Sequence, residues 1–194
     1  MSNSNSEIYT TINECINDNR LAQQKLYNFC FPVLMRVCSR YKNNRDDAVN
    51  LCNDAFLKII TNLQHINKNE NLEAWIKRIA TNTAIDDYRK HKNYSITVNL
   101  TGEAIPDYYD AGTNYNLPDE KLHANDLLKL IAQLKDPTKT VFNLFAIDGY
   151  SHKEIGEALD LTEEASRWHL NKARNMLKQK LNTLTQPFST NGKQ

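Results

Sequence analysis

Apolar residues along this chain recur at steps of three and four, the spacing that gathers side chains onto one face of a helix. From Leu21 to Tyr41 the positions Leu26, Cys30, Leu34, Val37, Cys38 and Tyr41 share such a face. Pro32 sits inside that run and is expected to kink or restart the helix, because proline has no backbone donor. A second helix is expected to open on Asn44 as a cap. Asp46 and Asp47 would fill its first turn, where carboxylates suit the positive helix end. Ala48, Cys52, Ala55, Phe56, Ile59, Ile60 and Leu63 form its buried stripe. Gln64 to Asn71 is polar and reads as a loop. A third helix follows from about Leu72 to Lys92, with Leu72, Trp75, Ile76, Ile79, Ala80 and Thr83 inward.

The periodicity stops between Asn93 and Pro118, where Asn, Asp, Tyr, Gly102, Gly112 and Pro106 collect, as they do in linkers. This stretch carries Glu103, Asp107 and Asp110, with no Lys or Arg between Lys92 and Lys121, so it repels DNA. Beyond it a helix bearing Leu122, Leu127, Leu128, Ile131 and Leu134 is expected to end near Asp136. Asp136 followed by Pro137 suggests a cap and a first helical position for a helix through Val141, Phe142, Leu144 and Phe145, stopped by Gly149. Ser151 and Glu154 have the spacing of a capping box, opening a short helix through Ile155 and Leu159. Thr162 can cap the last helix, from about Glu163 to Leu184, with Leu170, Ala173, Leu177 and Leu181 inward. Gln186 to Gln194 reads as a disordered tail.

The expected fold is therefore all-α: two small helical domains joined by a flexible acidic linker. A short helix, a tight turn over Asp160 to Thr162 and a longer helix make the arrangement of a helix-turn-helix, although an ordinary helical hairpin has the same outline.

Composition narrows the function. Hydrophobic residues are 40% and charged residues 24% of the chain, as in folded proteins, and the net charge is only +1. Affinity for a polyanion must then come from local placement. On the third helix Arg78, Asn82, Ile85, Arg89 and Lys92 share a face opposite Trp75 and Ile79, with Asp86 and Asp87 diluting its charge. On the last helix Arg167, Asn171, Arg174 and Lys178 make a second stripe beside Lys172 and Lys180, and no acid follows Glu164. Cations near a helix C-terminus suit its dipole, which accounts for Lys178 and Lys180. It does not account for Arg167 and Asn171 near the start, where a helix-turn-helix reaches the major groove. Arg and Lys meet phosphates, while Asn and Arg can read base edges.

Other chemistries find no support. Cys15, Cys30, Cys38 and Cys52 lack C-x-x-C spacing, so free thiols are expected and no zinc, other metal or cofactor. The five histidines, His65, His91, His123, His152 and His169, are scattered and read as surface or loop residues. With no nucleophile elbow and no phosphate-cradling glycine loop, an enzyme is not expected. Met1 to Glu7 lacks the pattern of a secretory signal and no apolar run approaches the ~20 residues of a membrane span, so a cytoplasmic protein is expected.

The run from Asp47 to Lys58 resembles the helix by which sigma factors dock on the polymerase clamp, although Val49 and Asn50 stand where that family usually has acids. The run from Ala74 to Asp86, followed by Arg89 and Lys90, resembles the helix that engages the minus-ten element. Gly149 to Gly156 and Leu170 to Arg174 resemble the helix-turn-helix that reads the minus-thirty-five element, with Ser166 where an apolar residue normally packs and Trp168 and His169 in place of small and basic residues.

The family so identified is the extracytoplasmic-function group of bacterial sigma-70 factors. What the resemblance implies is a division into residues 8–93 (core polymerase and minus-ten recognition), 94–118 (linker), 119–185 (minus-thirty-five recognition) and 186–194 (tail). Asp47, Asn50, Leu51, Asn53, Asp54, Leu57 and Lys58 would bind polymerase. Arg78, Asn82, Arg89, Lys90 and Lys92 would meet minus-ten DNA. Ser151, Glu164, Arg167, Trp168, Asn171, Lys172 and Arg174 would meet minus-thirty-five DNA. The implied partners are core RNA polymerase, promoter DNA and an anti-sigma factor. The competing reading, a helix-turn-helix regulator binding duplex DNA as a dimer, leaves the clamp-like helix without a role.

Overall fold

Eight α-helices run through residues 2–66, 71–101 and 122–185, the residues that this computed structural model describes. They divide between two compact units, Met1–Asn116 and Leu117–Gln194, each with its own core.

In the first unit, helix α1 (Ser2–Ile16) buries Ile12 and Cys15 against α2 (Arg20–Tyr41). No helix was expected before Leu21. Its apolar positions, Ile8, Ile12 and Cys15, follow helical steps but are too few to stand out without the partner helix that covers them. Asn19 caps α2, its side-chain oxygen accepting from the N–H groups of Leu21 (3.0 Å) and Ala22 (3.2 Å). Helix α2 passes through Pro32 without restarting. Interior proline costs about 3 kcal/mol, but fully burying a single apolar side chain returns about 1.5–3 kcal/mol. Leu26, Leu34 and Val37 are all buried here, so packing wins.

Helix α3 (Arg45–Asn62) starts at the expected Asn44 cap, whose oxygen accepts from Asp47 N–H at 2.8 Å. It leads into a 3-10 turn, Leu63–His65; the rest of the expected polar loop lies largely outside the described residues. Helix α4 (Leu72–Thr101) continues past the expected end at Lys92, so the start of the proposed linker is helical. No glycine or proline intervenes before Gly102 to stop it. The remaining linker and the tail lie outside the described residues. Helices α2, α3 and α4 pack on one another around Cys30, Leu34, Cys38, Cys52, Ala55, Ile59, Ile76 and Ala80. All four cysteines are buried free thiols; burial pushes Cys30 up to about 12 and raises Cys15 as well, which leaves them poor nucleophiles.

The second unit packs α5 (Leu122–Ala132), α6 (Thr138–Ala146) and α7 (His152–Leu159) on the long α8 (Glu163–Thr185). Leu130, Ile131 and Leu134 meet Ala173 and Leu177 in its core. Leu181 was expected inward but is exposed, as are Leu127 and Leu128, because the contact seam lies nearer the end of α5 and the middle of α8. Helix α6 begins one residue later than expected, with Pro137 as its flanking residue. Asp136 bonds the Thr140 hydroxyl at 2.6 Å instead of capping the backbone, and its carboxylate lies 3.6 Å from the ammonium of the buried Lys139.

The turn between α7 and α8 is tight. Asp160 takes a left-handed conformation, φ 54°, and Leu161 N–H donates to the Gly156 carbonyl at 3.0 Å. A Cβ on Gly156 would lie 2.8 Å from the Leu161 carbonyl oxygen, so only glycine fits beside this turn.

Candidate nucleic-acid interface

Local chemistry sets both ends of the helix-turn-helix. Ser151 and Glu154 form the expected capping box: Glu154 N–H donates to the Ser151 hydroxyl oxygen (3.2 Å), and the Glu154 carboxylate accepts from Ser151 N–H (2.8 Å) and hydroxyl (2.7 Å). Those bonds hold the Glu154 carboxyl below the usual carboxylate range. Thr162 caps α8, its hydroxyl accepting from Ala165 N–H at 3.1 Å. The Glu164 carboxyl is likewise lowered, first by its own backbone N–H and then by the Thr162 hydroxyl.

Helix α8 turns Ser166, Leu170, Ala173 and Leu177 inward and presents Arg167, Trp168, Asn171, Lys172 and Arg174 outward. These outward residues form two strips. On one flank, Arg167 is paired with Glu163 at 2.9 Å, and the Arg174 guanidinium lies 5.8 Å from the Phe145 ring centre on α6. Along the midline Trp168 is 56% exposed, with the Lys172 ammonium 4.7 Å from its ring centre. An open hollow of about 460 Å³ beside it is lined by Trp168, Asn171, Lys172, Asn175, Met176 and Gln179. The last three are not among the expected site residues. Trp168, Asn175 and Gln179 follow steps of seven and four, a signal that could have shown them on one line.

Two histidines are corrected. His152 and His169 are not loose surface or loop residues: His152 Nδ1 meets the Ser166 hydroxyl at 2.9 Å and stacks on Phe145, while His169 Nδ1 meets the Thr138 hydroxyl at 3.0 Å. Partial burial lowers both pKa values. Neighbouring Arg167 and Arg174 add to this at His152, against Glu163, and Lys172 adds to it at His169.

On α4, Arg78, Asn82 and Arg89 are exposed and Lys92 half-buried, but Ile85, expected among them, is buried beside Thr81 and Ala84. As an apolar side chain it leaves water wherever the fold allows. Asp86 and Asp87 turn toward other elements, Asp86 pairing with Lys58 of α3 at 2.7 Å and Asp87 with Lys42 at 2.6 Å. Their charges are thus matched away from the arginine face. Lys90 also leaves that face and, with Thr83, Asp86 and Asp87, borders an open hollow of about 210 Å³ completed by Asp54, Leu57 and Lys58.

On α3 the expected contact set separates. Asn50, Asp54 and Leu57 are exposed, Leu57 by 63%. Leu51 is buried, which removes it as a surface contact: it sits one turn from Ala48 and Ala55 on the core stripe. Asp47 receives the Asn44 side-chain amide at 2.9 Å, and Asn53 accepts from the Tyr27 hydroxyl at 3.1 Å. Tyr27, which packs edge-on to Phe56, was not anticipated.

The model of sigma-70 region 2 matches residues 26–94, spanning α2 to α4, and that of sigma-70 region 4 matches residues 124–177, spanning most of α5 to α8. The chain is 29% identical over 168 residues to the ECF RNA polymerase sigma factor SigW of Bacillus subtilis, covering 84% of this chain and 86% of that protein. It is 27% identical over 161 residues to the RNA polymerase sigma factor SigZ of the same organism, covering 81% and 86% respectively. In fold it is similar to the sigma factor RpoE from Bartonella quintana, solved with the anti-sigma factor NepR: TM-score 0.51, 17% identity, 82% of this chain and 96% of that one.

Proposed function

This chain belongs to the extracytoplasmic-function group of the sigma-70 family, whose members bind core RNA polymerase and direct promoter-specific initiation, and we propose how its helices divide that work. Residues 8–93, within the first unit, dock on core polymerase through the outward side of α3, where Asn50, Asp54 and Leu57 stand exposed and Asp47, Asn53 and Lys58 frame them. Leu57 supplies the apolar anchor and Asp54 the charge.

The face of Arg78, Asn82, Arg89 and Lys92 on α4 meets the minus-ten region, with Lys90 at its margin. Arginine and lysine hold phosphates, and bases that leave the stack need a polar and stacking surface beside them. Residues 119–185, within the second unit, bind the minus-thirty-five element as duplex. Ser151 and Glu164 contribute mainly by fixing the ends of α7 and α8. The chemistry of RNA synthesis stays with the polymerase, and the complex works in the cytoplasm. Among the described residues no helix is long and apolar enough to cross a membrane.

The observation that carries this reading is the start of α8: capped by Thr162 and packed on α7, it exposes Arg167, Trp168, Asn171 and Lys172 together. An anti-sigma partner, of the kind that accompanies the Bartonella protein, is proposed to cover these surfaces in the silent state. A gel-shift series at physiological salt tests the reading. With 24 basic against 23 acidic residues, the free protein should bind promoter DNA weakly and gain affinity with core polymerase. Tight, sequence-specific binding by the free protein would instead favour the dimeric regulator.

A further inference from the structure

The outward midline of α8 carries three uncharged side chains, with Lys172 as the one cation beside them. Trp168, Asn171 and Asn175 stand exposed in that order, opposite the buried seam of Ser166, Leu170, Ala173 and Leu177. The arginines lie to one side, Arg167 against Glu163 and Arg174 toward Phe145. A line that read mainly guanine would be built of Arg or Lys, the side chains that match guanine O6 and N7, whereas here Lys172 is drawn over the Trp168 ring. Carboxamides instead match adenine, donating to N7 and accepting from N6, and an apolar surface suits the thymine methyl group.

We propose that Trp168, Asn171 and Asn175 read A·T base pairs in the duplex upstream element, the indole against thymine methyl groups and the carboxamides on adenine edges. Lys172 serves as the phosphate anchor beside them. The proposal rests on the reading of α8 as the recognition helix, and it adds Asn175 and the base class.

The geometry fits such a task. Asn171 and Asn175 are four residues apart, a rise of about 6 Å along the axis, close to two base-pair steps of about 3.4 Å. The Lys172 ammonium over the indole, 4.7 Å from its centre, is held to one side of Trp168. The His169 ring packs edge-on to the same indole at 4.7 Å, and the 56% exposed indole lines the hollow together with Asn171, Lys172 and Asn175. The carboxamide rim of Asn171, Asn175 and Gln179 suits base edges, and the absence of any acid after Glu164 suits the phosphates beside them, so duplex DNA is the occupant that uses both.

Transcription by core polymerase loaded with the full chain, from templates randomised across the upstream element, tests this. Active templates should be enriched in A·T pairs, with two adenine positions about two steps apart. N171A and N175A should each relax the preference about tenfold at one of these positions only. Replacing thymine by deoxyuridine there, which removes only the methyl group, should lower wild-type activity severalfold and leave W168A unaffected, with W168F restoring part of the sensitivity. Because the three side chains are exposed, thermal melts should show all variants folded. Enrichment of G·C pairs, an unchanged profile for N175A, or wild-type indifference to deoxyuridine overturns the inference while transcription itself persists. Failure to initiate from any template overturns the underlying reading of the chain.

Discussion

The imidazole of His152, at the start of α7, lies 2.9 Å from the hydroxyl of Ser166 on α8, a residue with no exposed surface. This bond explains how a polar side chain occupies a packing position between the two helices, since a buried hydroxyl left unpaired costs about 1–3 kcal/mol. The same ring stacks on Phe145 of α6 at 4.4 Å between centres, so one side chain joins three helices.

Acidification should therefore loosen the second unit. Folding lowers the His152 pKa, first by burial and then by Arg167 and Arg174, so the folded state prefers the neutral ring. Its contribution is fully present above the ordinary imidazole value of about 6.5 and is lost as pH falls from there toward the lowered folded value. His169 acts with the same sign. Melting followed through amide signals of α7 and α8 should shift down in that window, and H152Q should flatten the slope. A slope unchanged by H152Q would mean that this ring does not couple to folding.

Gly156→Ala should destabilise the second unit by about 1–3 kcal/mol. The atom it would strike, at 2.8 Å, is a backbone carbonyl that cannot swing away. Ser151→Ala, which removes half of a capping box, should cost about 0.5–2 kcal/mol. Denaturant titrations of both variants check the values; an unchanged midpoint for G156A would contradict the tight turn.

These two sites also show what a sequence can reveal. Asn44, Thr162 and the Ser151–Glu154 box were legible because a cap depends on residues three apart in the chain. Leu51, Ile85, Asp86 and Asp87 were misjudged because their surroundings come from other helices. Nothing near Asp87 in sequence announces Lys42. The base-facing strip of α8 was half legible: Trp168 and Asn171 stood out, whereas Asn175 gains meaning only beside the hollow.

On α3, Asp54→Lys with Leu57→Ala should weaken association with core polymerase by about 1 kcal/mol or more per residue, with little loss of stability, since both side chains are exposed. Asp47→Lys should behave differently. Its carboxylate receives Asn44 and sits in the first turn, so reversal should cost stability of about 0.3–1 kcal/mol. Pull-down of polymerase alongside thermal melts separates the two; undiminished capture by the Asp54 and Leu57 variant would exclude this side of α3.

Arg78→Ala with Arg89→Ala should slow open-complex formation more than initial docking, and premelted templates should restore part of the activity. Equal defects on duplex and premelted promoters would mean that these arginines only attract the DNA backbone.

The most direct measurement is transcription from genomic fragments by sigma-free core polymerase with and without this protein. Discrete transcripts that require the protein, and that fall when Arg167 and Asn171 are replaced by alanine, are the predicted result. Absence of any protein-dependent transcript, or the same transcripts from core polymerase alone, would contradict it.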